Sequence, residues 1–127
     1  MVPESVRCAV AADAIGLVEQ AGVRRDLVVA ETGFTLQRMR NVTSAEISGG
    51  GSVIERIYQS PVLPAVLAEV VGEPVFRCPY EPEQFVITRL EESGDTHVWH
   101  WDDYSALVWV AECPAPVSRS ANFAYRR

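Results

Sequence analysis

Apolar positions along this chain change period part-way through. From Pro3 to Gln20, Val6, Val10, Ile15, Leu17 and Val18 recur with alanines between them. That spacing lines one face of a helix, and Gly22 follows as its stop. Residues 23–47 join a short apolar run, "LVVA", to "TGFTLQRMRNVTS", a mixture compatible with strands or with irregular structure. The "SGGGS" at 48–52 is a flexible joint, too short to link two domains. Ser52 then stands where it can cap a helix carrying Val53, Ile54, Ile57 and Tyr58. "SPVLPAVLAEVVG" predicts another, with Ser60 as cap, Pro61 at the first helical position and Gly72 as stop. Pro64 falls in the first turn, where a missing N–H costs little.

Beyond Gly72 the texture becomes that of strands. "PVFRCPY" (74–80), "EQFVITRL" (83–90), "THVWHW" (96–101) and "SALVWVAEC" (105–113) are rich in β-branched and aromatic residues and are separated by Pro, Gly or Asp. "ESGD" at 92–95 is short enough to pair 83–90 with 96–101 as an antiparallel hairpin. Helices followed by a meander of strands predict an α+β fold, N-terminal helices packed on one face of an antiparallel β-sheet or half-barrel. The length of 127 residues suits a single domain over 1–127, with 114–127 an irregular, proline-broken tail.

Charge and cysteine usage narrow the function classes. The net charge is −6, and the imbalance is local: residues 41–103 hold eleven acids against three arginines. Such a centre repels phosphates, which speaks against nucleic acid, and it suits a cation or an amine-bearing small molecule as well as a plain solvated surface. Cys8, Cys78 and Cys113 are odd in number and lack CxxC spacing, so they read as reduced, mostly core residues. No apolar run approaches the ~20 residues that cross a bilayer, and "MVPESVRCAV" lacks the features of a signal peptide. No membrane association and a cytoplasmic location are expected.

The chemistry concentrates in "GDTHVWHWDDY", Gly94 to Tyr104, which contains both histidines of the chain. Alternation along a strand sets Val98, His100 and Asp102 on one face and His97, Trp99 and Trp101 on the other. His100 and Asp102 thereby aim an imidazole and a carboxylate at one point, two donors of the 2-His-1-carboxylate triad that holds ferrous iron and leaves positions open. A polar strand end with a hydrogen-bonded His100 is the competing reading of His-x-Asp taken alone. Trp99, Trp101, Tyr104 and Trp109 fit a pocket wall or an ordinary core.

The segment "YEPEQFVITRLEESGDTHVWHWDDYSALVWVAECP" (80–114), and more weakly "RNVTS" (40–44), resembles the central part of iron(II)/2-oxoglutarate-dependent oxygenases of the bacterial amino-acid hydroxylase and halogenase kind. The resemblance implies a partial double-stranded β-helix of jelly-roll or cupin-like form, Fe(II) as metal and 2-oxoglutarate as cosubstrate. It implies that His100 and Asp102 are iron ligands. Glu83, His97 and Asp103 would contact the polar groups of a free amino-acid substrate, and Arg40 would hold its carboxylate. Halogenating relatives carry a small residue at the carboxylate ligand position; Asp102 stands there in this chain, which implies a hydroxylase.

The family's second histidine ligand lies far downstream and is followed by a basic anchor for 2-oxoglutarate. No histidine follows His100 in this sequence, and Glu112 would replace that ligand only if its strand returned beside the motif. The expectation is therefore the N-terminal half of such an enzyme, completed by a second copy or a partner chain. The alternative is a non-catalytic, truncated family member acting as a binding or interaction module. Exposed sheet edges and the apolar run "ALVWVAEC" point in either case to an oligomer.

Overall fold

A computed structural model describes residues 2–30, 33–49 and 52–97. Helix α1 runs Glu4–Ala21 and is followed by strand β1, Val23–Val29, and strand β2, Thr35–Val42. Three further helices come next: α2, Ser44–Ser48, α3, Val53–Gln59, and α4, Val62–Val71. A 3-10 turn at Glu81–Glu83 leads into strand β3, Ile87–Arg89. The described strands form one antiparallel sheet in the order β1-β2-β3, and the α+β expectation holds to that extent.

Local signals account for most helix ends. Ser52 Oγ accepts the Glu55 N–H at 3.0 Å, and Asp13 of α1 accepts the neighbouring Ile54 N–H at 3.1 Å, so two orphan donors of α3 are satisfied. Pro61 occupies the N-cap position of α4, one residue earlier than its expected place, while the Ser60 hydroxyl accepts the Val62 N–H at 3.2 Å. Gly72 closes α4 in the left-handed region at φ 77°, which glycine adopts at no steric cost. Helix α2 has its own sequence signal, Thr43-Ser-Ala-Glu46: the Glu46 carboxylate accepts from both the Thr43 N–H, 2.8 Å, and the Thr43 hydroxyl, 3.0 Å.

The core sits where α1, the Val42 end of β2 and α2 converge. Val18, Val42 and Ile47 are buried there, and Leu17, Ala21, Ile54, Phe85 and Ile87 pack around them. Tyr58 of α3 meets Phe85 edge to face at a centroid distance of 4.9 Å, which ties the approach to β3 onto the helices. Desolvation raises the Tyr58 phenol above its ordinary pKa, even though its oxygen accepts the Cys78 N–H at 3.2 Å.

Several expectations are corrected. Residues 74–80 form no strand, because Pro74 and Pro79 remove ladder donors and the stretch instead anchors to α3 through the Cys78–Tyr58 bond and through Arg77 on the Gln59 carbonyl. The run 83–90 contributes only Ile87–Arg89, since Pro82 supports a helical turn. The hairpin of 83–90 with 96–101 does not form within the described residues: Ile87–Arg89 and Thr96 both pair with β2. The sheet's central strand is β2, drawn from the stretch that hydropathy left open, and the helices do not simply precede the strands. Cys8 is exposed on α1 and Cys78 is half-buried, so neither is a core residue.

Candidate functional site

Register places three arginines side by side across the sheet. Arg24 of β1 stands opposite Arg40 of β2, and Arg40 stands opposite Arg89 of β3. Like charges directly opposite one another destabilise a sheet unless counter-charges reach them. Those charges come from residues 91–95. Asp95 forms a two-pronged pair with Arg24, at 2.7 and 2.5 Å, and Glu92 lies 3.8 Å from the same guanidinium. Glu91 accepts from Arg40 Nε at 2.9 Å and lies 3.8 Å from Arg89. One row along, Arg38 pairs with Asp26 at 3.0 Å on an exposed part of the sheet.

Asp95 is the centre of this network. Its side chain is only 2% exposed, and Oδ2 also accepts the backbone N–H of Glu91 and Glu92 at 2.8 and 3.0 Å. The hydrogen-bonded Arg24 guanidinium outweighs the cost of desolvation and, helped by the two backbone donors, holds the Asp95 carboxyl well below the usual carboxylate range. The same hydrogen bond raises Arg24 above the ordinary arginine value.

The sequence-predicted residues divide into described and undescribed ones. Arg40 lies in β2 with its side chain 33% exposed; Nη1 donates to the Gly22 carbonyl at 2.7 Å and Nε to Glu91, so part of its guanidinium is engaged within the chain. His97 is exposed and directly follows Thr96, whose N–H and C=O exchange hydrogen bonds with Arg38 at 2.9 and 3.0 Å. Glu83 is exposed on the 3-10 turn, four residues before Ile87, which pairs with the far end of β2 at Val42. Arg38 and Val42 are about 13 Å apart along the strand at the usual rise per residue, so His97 and Glu83 flank different ends of β2. His100, Asp102 and Asp103 lie outside the described residues, as do the 105–113 run, Cys113 and the 114–127 tail.

Among the described residues no group of three His, Cys, Asp or Glu side chains could hold a metal ion. Arg24, Glu91 and Asp95 are the residues that hydropathy did not single out. Their signal lay in the alternating arginines of β2, Arg38 and Arg40, facing the acidic stretch 91–95. A shallow cleft of about 240 Å³ lies between α1 and the start of α3, lined by Ala12, Asp13, Gly16, Leu17, Gln20 and Ser52, two of which cap α3.

These features define a class of protein: an α+β chain whose described strands, three in number, are backed by helices, with an acid-covered arginine row preceding in sequence a histidine- and carboxylate-rich motif. Residues 1–120 match the family described as Halogenase D, and the chain belongs to that family. The match takes in the whole of "GDTHVWHWDDY". Among curated proteins none matches the chain. No described helix is long and apolar enough to cross a membrane.

Proposed function

We propose that this chain carries the His-x-Asp part of a non-haem iron(II)/2-oxoglutarate-dependent hydroxylase acting on a free amino acid or similar small amine-bearing molecule. The observation that carries the reading is the Halogenase D match over residues 1–120, with Asp102 inside it two residues after His100. His100 would bind iron through an imidazole nitrogen and Asp102 through a carboxylate oxygen. When bound, iron would supply the oxidation, one atom of dioxygen going to 2-oxoglutarate as it loses carbon dioxide to become succinate and the other to a substrate C–H bond, which becomes C–OH. The chain's task is to bind and orient. Glu83 or Asp103 would offer negative charge to an ammonium group, His97 an imidazole hydrogen bond and Arg40 its guanidinium to a carboxylate, with Glu83 and His97, at different ends of β2, meeting different ends of the bound molecule. By the resemblance, a carboxylate at Asp102 would take the position that a halogenating centre keeps open for halide, which favours hydroxylation.

The test is an anaerobic titration of the purified chain with iron(II) and 2-oxoglutarate. The visible charge-transfer band of the chelate is expected in the wild type and lost in His100→Ala. Admitting oxygen with amino-acid candidates and chloride should yield succinate and a hydroxylated product. A chlorinated product would overturn the assignment to hydroxylases, and absence of the band in the wild type would overturn iron binding by this chain on its own.

A further inference from the structure

Strand β3 leaves the sheet after Arg89, and Thr96 rejoins it opposite Arg38. Arg89 pairs with Arg40, so an uninterrupted strand would set Glu91 opposite Arg38. Thr96 stands there instead, five residues later, and residues 90–95 make an excursion opposite the single residue Met39. The excursion is closed by its own bonds: Asp95 N–H to the Glu92 carbonyl at 3.1 Å, the Glu91 and Glu92 N–H groups to Asp95 Oδ2, and Gly94 at φ 93°. What reaches beyond it to the far strand is the pairing of Asp95 and Glu92 with Arg24, which spans 71 residues of sequence in the case of Asp95.

We propose that the Arg24–Asp95 pair is a register lock, holding residues 90–95 out of the sheet so that Thr96 takes the place opposite Arg38. Five is an odd number, and side chains alternate with period two, so the excursion exchanges the faces presented on either side of it. In the uninterrupted register the odd-numbered Glu91 would share the face of Arg24, Arg40 and Arg89; in the locked register the even-numbered Thr96 takes that place opposite Arg38. Arg24 and Asp95 are thus positioning residues for Thr96.

The experiment compares the metal-free full chain with three variants by hydrogen exchange of individual amides. Arg24→Ala is the sharpest, because it leaves the bonds of Asp95 to Glu91 and Glu92 intact. It is expected to lower protection of the Thr96 amide at least about tenfold while the β1–β2 ladder keeps its protection. Arg24→Lys, which keeps the charge and loses the two-pronged geometry, is expected to retain part of the protection and serves if the alanine variant does not fold. Asp26→Asn, removing only the exposed pair with Arg38, should leave Thr96 unchanged. Undiminished Thr96 protection in Arg24→Ala or, failing that, in Arg24→Lys would overturn the lock.

Discussion

Replacing Gly22 by alanine tests the joint between α1 and β1, which also supports Arg40. Gly22 has φ −65° and ψ 125°, a conformation open to any residue, so its role is not the left-handed stop that a glycine after a helix suggests. The constraint is space. A Cβ there would lie 2.4 Å from the Val18 carbonyl oxygen and 2.7 and 2.9 Å from Cδ and Cγ of Arg40. Normal carbon–oxygen contacts begin near ~3.3 Å, so the overlap is roughly 0.9 Å. Val18 cannot retreat freely, because its carbonyl accepts the Gly22 N–H at 3.0 Å. Overpacking of this kind costs about 1–3 kcal/mol, and weakening the cap bond adds about 0.5–1.5 kcal/mol. The smaller entropy of the unfolded alanine chain returns about 0.4–1 kcal/mol. The net loss is on the order of 1–3 kcal/mol, a fall in melting temperature of roughly 4–12 °C for a chain of this size. Thermal melts followed by circular dichroism should show this for Gly22→Ala. Gly49→Ala is the control: it is right-handed, at φ −67° and ψ −17°, with its nearest neighbour at 3.4 Å, and it should be neutral or slightly stabilising. Equal melting temperatures for the two variants would refute the close approach of α1, Gly22 and Arg40.

Further outcomes follow from the core, a cap and the acid network. Ile47 is fully buried, so Ile47→Ala removes three carbon groups worth about 2.4 kcal/mol at ~0.8 each and leaves a cavity, for a total of about 3–4 kcal/mol in urea denaturation. Ser52→Ala removes the acceptor for the Glu55 N–H and should cost about 1 kcal/mol by the same method, with Ser52→Gly losing only a few tenths. The Asp95 carboxyl has a folded pKa depressed below its unfolded value, so its stabilisation is present above the ordinary carboxylate pKa and is lost as pH falls beneath it. Melting temperatures of the wild type and Asp95→Asn should therefore differ by a constant amount near neutrality and converge as pH falls below about 4. A gap that persists into strong acid would contradict the paired carboxylate.

Helix α1, the Ser52 cap of α3 and the Gly72 end of α4 were legible from the chain because each depends on residues within a few positions of one another. Helix α2 carries an equally local signal in Thr43 and Glu46, but at five residues it is too short to show a hydrophobic period. The candidate motif was legible only as side-chain types, an imidazole and a carboxylate two residues apart, a pair that a polar strand end also carries. Strand positions were less readable. Prolines at 74, 79 and 82 outweighed a β-rich composition, and "LQRMRN", with its polar and charged positions, proved to be the middle of the sheet.

What the sequence determined by itself, then, is the presence of α1, α3 and α4, the acidic centre and the pairing of an imidazole with a carboxylate two residues on. Only the tertiary structure decided that Arg24, Arg40 and Arg89 stand in one row, that Glu91, Glu92 and Asp95 neutralise it, and that Thr96 rather than Glu91 faces Arg38. The physical reason is separation along the chain. A cap is chosen by neighbours in sequence, whereas strand register is chosen by all the cross-strand contacts at once, and the bond that closes this one joins residues 71 positions apart.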